Sequence, residues 1–171
     1  MKYQPLTDFF EISGAKQLDK IQFETATVDN LEAVPFVGRS STNNGIVDYV
    51  LPKSGYLNKG GVITIALDGS TGATFYQHHD FCSGQNIWVL KPIKNKIENF
   101  SPEIALFLVT TIRRSVEEYS YNLGLTKGRL EKINILIPTD ENGKLDILSI
   151  QTIVRGLHNS SHISALSETR Y

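Results

Sequence analysis

The chain has 171 residues, 40% hydrophobic and 20% charged, with a formal net charge of -1. That length fits one domain better than two, and the composition can bury a core and excludes compositional disorder. A near-neutral balance counts against a non-specific nucleic-acid binder, but not against a sequence reader with a few cations on one face.

Residues 1–33 are mixed and amphipathic. Leu6, Phe9, Phe10 and Ile12 can seat a short helix or strand on a core, Gly14 punctuates, and Leu18 to Phe23 reads as helical or extended. From Val34 the pattern is strand and turn. Val34 to Val37 is a short apolar run, and Asn43-Asn44-Gly45 is a turn signal because Asn and Gly tolerate positive φ. Ile46 to Leu51 resumes a strand that Pro52 stops, and Asn58-Lys59-Gly60-Gly61 turns again. Val62 to Leu67 is β-branched and apolar, with Ile63, Ile65 and Leu67 on one face. Asp68 to Gly72 turns the chain and Ala73 to Gln77 returns, as a hairpin with a long polar tip. Asn86 to Leu90 is nearly continuous apolar, the pattern of a strand covered on both faces.

Ser101-Pro102-Glu103 opens a helix: Ser caps, Pro suits the first helical position, and Glu complements the positive end. Ile104, Phe107, Leu108, Ile112 and Val116 then recur at helical spacing, and the helix is expected to end near Tyr121. Ile133 to Ile137 is a last strand, and Leu145 to Leu157 a short helix. The expected fold is α+β: a curved, mainly antiparallel sheet packed with one prominent helix. Residues 1–145 form the single domain, and 146–171 a short helix and frayed tail.

Candidate chemistry is sparse. In Arg39-Ser40-Ser41-Thr42-Asn43-Asn44, Arg can bond guanine bidentately, Asn can bond adenine, and Ser or Thr can bond bases or phosphates. The same residue types also build an ordinary hairpin turn. Gly69-Ser70-Thr71-Gly72 can offer backbone N–H groups to an anion or simply turn tightly, but it is not a P-loop, since no Lys leads into a helix. His78, His79, Asp80 and Cys82 do not read as a metal site, because adjacent strand residues face opposite sides and no second ligand cluster exists. The one cysteine, Cys82, excludes an internal disulfide, agrees with a reducing cytoplasm, and reads as a small core residue.

Lys127 and Arg129 flank Gly128 after the helix, and Lys91, Lys94 and Lys96 follow the Trp88 strand; either set can meet phosphates. Trp88 reads as core, and Arg113 and Arg114 as partly exposed helix residues. Glu117 and Glu118 are consecutive on a helix and make no acid/base couple. The first residues lack the apolar core of a signal peptide, and no run reaches the length of a membrane span, so a cytoplasmic location is expected.

Four blocks resemble the target-recognition domain of type I restriction-modification specificity subunits and of related methylase-nuclease recognition subunits. They are Phe36-Val-Gly-Arg-Ser-Ser-Thr-Asn-Asn-Gly-Ile46, Gly61-Val-Ile-Thr-Ile-Ala-Leu-Asp-Gly-Ser-Thr-Gly72, Ser83-Gly-Gln-Asn-Ile-Trp-Val-Leu-Lys-Pro92 and Leu125-Thr-Lys-Gly-Arg-Leu-Glu-Lys-Ile-Asn-Ile-Leu-Ile-Pro138. Phe10 to Leu18 is a weaker match to the domain's entry. The resemblance implies a globular domain that inserts loops into the DNA major groove. Arg39, Ser40, Ser41, Thr42, Asn43 and Asn44 would be a base-reading or phosphate-contacting loop, Ser70 and Thr71 a second contact, and Lys127 and Arg129 a third.

It also implies no cofactor in this chain. A partner DNA methyltransferase would bind S-adenosylmethionine, and cleavage would belong to a restriction subunit or fused nuclease. Family subunits often carry two such domains. A single one implies a half-subunit that pairs, as a homodimer or with a second recognition domain, or an excised domain. Two-fold pairing predicts a palindromic bipartite site. Two other readings stay open: a docking protein that binds a methyltransferase without reading DNA, and a small enzyme with a nucleotide or sugar substrate.

Overall fold

The structure is a computed structural model and describes residues 1–119 and 123–157. Its strands are β1 Lys2–Pro5, β2 Phe10–Gly14, β3 Val34–Val37, β4 Ile46–Val50, β5 Val62–Ala66, β6 Thr74–Gln77, β7 Cys82–Ser83, β8 Ile87–Pro92 and β9 Asn134–Ile137. Its helices are α1 Pro102–Val116, α2 Lys127–Leu130 and α3 Ile147–Arg155. The α+β class, the antiparallel pairing and the one prominent helix are as expected. The sheet, however, is divided into three: antiparallel β2-β8-β5-β6, the trio β4-β3-β7, and the pair β1-β9. Only β3 and β7 run parallel among the described strands. A bulge between Phe36 and Val37 bends β3 where it would otherwise extend its ladder.

The layers follow from side-chain alternation on the two inner strands. In β5, Ile63 and Ile65 join one core cluster, while Val62 and Ala66 join another. In β8, Leu90 and Trp88 take the first side and Ile87 and Val89 the second. The first cluster is roofed by α1 through Ile104, Leu108, Ile112 and Val116. The second is closed by Val37 of β3, whose neighbour Phe36 faces outward into a third cluster with Phe23, Val50 and Cys82. Helix, four-stranded sheet and three-stranded sheet are therefore stacked in that order. Cys82 is a fully buried core residue beside buried Phe81, as its sequence position suggests, and burial raises its thiol pKa.

α1 begins as its sequence requires: Ser101 Oγ accepts the Ile104 N–H at 3.5 Å with Pro102 in the first turn. It tightens into a 3-10 turn at Glu117–Tyr119; the expected end near Tyr121 lies outside the described residues. The undecided N-terminal stretch becomes β1, a 3-10 turn at Leu6–Asp8, and β2. Leu6, Phe9 and Phe10 are buried there, and the Leu6 N–H reaches the Ile133 carbonyl at 2.9 Å. α3 is capped by Asp146, whose Oδ1 accepts the Ser149 N–H at 3.0 Å, and it sends Ile150 and Val154 into the first cluster. The Ser149 hydroxyl and backbone N–H hold the Asp146 carboxyl below its ordinary range. The expected tail, residues 158–171, lies outside the described residues. No helix among the described residues is long and apolar enough to cross a membrane.

Gly60 carries a sharp steric demand. A Cβ there would sit 2.4 Å from the His78 carbonyl oxygen and 2.5 Å from the His79 carbonyl carbon, both backbone atoms. Gly60→Ala is expected to destabilise the protein by about 2 kcal/mol or more. Gly128→Ala, where a Cβ meets nothing within 4 Å on α2, is expected to be neutral or stabilising by up to about 1 kcal/mol. Urea unfolding of the two variants checks the contrast, and equal midpoints would contradict it.

Candidate nucleic-acid interface

Three loops converge at one end of the four-stranded sheet: the segment after β3, the β5–β6 tip, and the turn entering β8. Arg39 Nη1 donates to both Asp68 oxygens, at 3.1 and 3.0 Å, across 29 residues of sequence. Asn86 Nδ2 donates to Asp68 Oδ2 at 2.8 Å, and the Asn86 N–H reaches Gln17 Oε1 at 2.9 Å. The Ser70 N–H approaches the Arg39 carbonyl at 3.4 Å. Gly69 makes the close approach feasible: its φ is 66°, and a Cβ would stand 3.0 Å from Arg39 Cβ. The Arg39 and Asp68 side chains are each 47% exposed, so their pairing contributes at most about 1 kcal/mol to stability. An outside acceptor can approach the edge of Arg39 that Asp68 leaves open.

The rest of the first loop divides between outward and inward groups. Ser41 and Thr42 are exposed. Ser40 Oγ is bound locally, accepting the Thr42 N–H at 3.2 Å. Asn43, Asn44 and Gly45 are consecutive residues with φ of 49°, 53° and 76°. Asn43 Nδ2 donates to the Ile46 carbonyl at 3.0 Å. Asn44 Nδ2 donates to the Tyr76 carbonyl at 3.0 Å, while Gln77 Nε2 donates to the Asn44 carbonyl and to Thr64 Oγ1, both at 3.0 Å. The Asn44 amide is thus directed to Tyr76 and Gln77 of β6, whereas the exposed Asn43 amide makes one bond and keeps its second N–H. The positive φ values agree with the turn expected at Asn43-Asn44-Gly45.

The β5–β6 tip is a tight turn, one of its two expected readings. The N–H groups of Ser70, Gly72 and Ala73 donate to the carbonyls of Arg39, Ala66 and Ser70, the last two closing the tight turn. Ser70 and Thr71 line an open groove of about 660 Å³ with Ser41, Thr110, Arg113 and Arg114. Arg113 is the residue that sequence reasoning passed over. Its Nε donates to the Thr74 carbonyl at 3.0 Å and its guanidinium lies 4.6 Å from the centre of the Phe75 ring. Among the described residues its terminal nitrogens donate no hydrogen bond. Burial lowers its pKa from the ordinary value, but an arginine remains cationic at neutral pH. Its position, directly after buried Ile112, was a signal that it flanks the packed stripe. Nothing in the sequence places the β5–β6 tip beside it. Arg114 pairs with Glu117 at 2.8 Å.

Lys127 and Arg129 stand on α2, capped by Thr126, on the helix-facing side of the sheet. Lys127 Nζ lies 5.7 Å from the centre of the Trp88 ring and 3.3 Å from the Glu131 carboxylate. Trp88 packs on the core close after Asn86, which ties Lys127 to the same end of the sheet as Arg39. Arg129 turns away, donating to the Gly124 carbonyl at 2.6 Å beside Tyr119. Arg39 thus touches Ser70, Ser41 shares a groove with Ser70 and Thr71, Lys127 stands over Trp88, and Arg129 stands beside Tyr119.

The histidine pair differs from expectation. β6 ends at Gln77, so His78 and His79 do not alternate across a strand, and their rings lie 4.6 Å apart. No group of three or more His, Cys, Asp or Glu among the described residues is placed to hold a metal.

Gln77 is the buried hub of the loop network, 3% exposed. Gln77→Leu removes its bonds to Asn44 and Thr64 and is expected to destabilise by about 1–3 kcal/mol. It should also speed amide hydrogen exchange at Gly45, whose N–H is bonded to the Thr42 carbonyl. Unchanged exchange there would show that the network does not hold the loop.

Comparison with known proteins agrees with this architecture. The model of the type I restriction modification DNA specificity domain matches residues 1–169. The type II restriction enzyme BgcI specificity subunit S.BcgI of Heyndrickxia coagulans is 23% identical over 154 residues, 90% of this chain and 42% of that protein. The type I restriction-modification S subunit from M. genitalium superposes with a TM-score of 0.60 at 15% identity, over 98% of this chain and 43% of that one. The HsdS subunit from Thermoanaerobacter tengcongensis also gives 0.60, at 14% identity, over 96% and 42%. These structural likenesses establish the fold, and the chain spans less than half the length of each relative. With nearly its whole length matched, the chain belongs to the family of type I restriction-modification DNA specificity domains.

Proposed function

We propose that this chain is a sequence-specific DNA recognition module. It directs a partner DNA methyltransferase, and a restriction subunit where the system has one, to a target half-site. The observation that carries the reading is the convergence of Arg39, Ser41, Thr42, Ser70, Thr71 and Arg113 at one end of a doubly covered sheet. Arg39 offers a fork of donors suited to guanine. Ser40, Ser41 and Thr42 present hydroxyls to bases or phosphates, and Asn43 and Asn44 hold the loop in place. Ser70, Thr71 and Arg113 take a backbone phosphate, with Lys127 as a further phosphate contact and Arg129 supporting its short helix.

The net charge of -1 leaves most of the electrostatic grip on DNA to the partner. The chain itself is non-catalytic and uses no cofactor; S-adenosylmethionine belongs to the methyltransferase. Since the relatives are more than twice as long, this unit acts with a second recognition domain or a second copy of itself, in the cytoplasm.

The test is to co-express the chain with the methyltransferase encoded beside it and map modified bases by single-molecule sequencing. Arg39→Ala is expected to cost about 1–3 kcal/mol and to relax preference at one base position. Arg113→Ala is expected to weaken binding to all sequences alike and to lower the salt slope by about 1. An Arg39→Ala chain that directs an unchanged motif would remove Arg39 from base reading, and sequence-dependent losses in Arg113→Ala would remove Arg113 from phosphate contact.

A further inference from the structure

The pairing of Arg39 with Asp68 is weak as a stabilising contact, yet it is built with care. Both Asp68 oxygens accept from one nitrogen of Arg39, Nη1. Among the described residues, Nε and Nη2 donate to nothing, so one full edge of the guanidinium stays open. The carboxylate is itself fixed, because Asn86 Nδ2 donates to its Oδ2 at 2.8 Å. Asn86 is held in turn by Gln17 at its N–H and by the Leu67 N–H at its carbonyl. Its φ of 59° is an uncommon conformation for a residue with a side chain. A carboxylate on a surface that meets DNA repels phosphates and lowers affinity for every sequence. Bonded by two oxygens to Arg39, it adds orientation, by removing rotamer freedom from a long side chain before the partner arrives.

We propose that Asp68, held by Asn86, is a specificity-determining positioning residue: it fixes Arg39 so that the Nε–Nη2 edge meets the acceptor pair of a guanine. This inference rests on the reading of Arg39 as a base contact. It assigns Asp68 a trade of general affinity for discrimination. Loss of Asp68 lets Arg39 reach phosphates and other acceptors, and takes away one negative charge.

The test uses the complex of the full chain with its methyltransferase and duplexes in which each position of the wild-type motif is varied in turn. Arg39→Ala first locates the position that Arg39 reads, with an expected loss of preference of about 5- to 150-fold. Asp68→Ala is expected to lose about 2- to 5-fold at that same position, to keep the preferences elsewhere, and to bind an unrelated duplex more tightly. Asn86→Gly tolerates the positive φ and leaves Asp68 in place; a smaller loss at the same position is expected.

If Arg39→Ala relaxes no position, the reading of Arg39 fails and the inference falls with it. If Arg39→Ala relaxes one position but Asp68→Ala keeps full preference there, the inference alone is overturned. Equal weakening of all duplexes by Asp68→Ala would also overturn it, by making the residue merely structural. Should Asp68→Ala not fold, Asn86→Gly decides: relaxation at the Arg39 position supports the inference, and unchanged preference overturns it.

Discussion

Burial of β5 on both faces governs where everything functional can stand. Ile63 and Ile65 pack under α1, while Val62 and Ala66 pack against β3. A slip of one residue would exchange the two faces and bring Thr64 into the helix-facing core, so the register is strongly specified. Thr64, 2% exposed, is instead satisfied by Gln77, which also binds the Asn44 carbonyl. One buried polar network therefore fixes both the hairpin and the loop beside it. A tip supported in this way presents side chains from a stiff base, which direct readout requires.

The polar groups at that end divide by duty. The Asn44 amide and the N–H groups of Ser70, Gly72 and Ala73 are used by the fold. Arg39, Ser41, Ser70, Thr71 and Arg113 keep donors toward solvent or a groove. Acidic partners sit beside two of the nearby arginines, Asp68 on Arg39 and Glu117 on Arg114. The end of the sheet is thus polar and oriented without being strongly basic, in keeping with the net charge of -1. On the proposed reading, a surface of this kind discriminates better than it grips.

Much of the fold was legible because its signals are local. Ser101-Pro102-Glu103 and the Ile104 to Val116 periodicity mark α1, and Val62 to Gln77 reads directly as a hairpin. Asn43-Asn44-Gly45 reads as a turn and adopts three positive φ values. The division into three sheets was not legible. It depends on which short strands pair, including the parallel contact of β3 with β7, and pairing is not written in either strand alone. The same limit applies to the candidate interface. The loop around Arg39 and the Ser70-Thr71 tip can be picked out by residue type. The bond from Arg39 to Asp68, the closure of the groove by Arg113, and the turning of Arg129 onto Gly124 are tertiary facts. Asn44 shows the opposite failure: its chemistry suits a base, but its neighbours in space claim it first.

The central claim is that this chain chooses the DNA sequence. The most direct measurement is a map of modified bases in cells that carry the proposed partner methyltransferase, with and without the chain. The account predicts one defined motif that is present only with the chain. The same motif without it, or a stable complex of the two proteins that modifies no motif, would contradict the account.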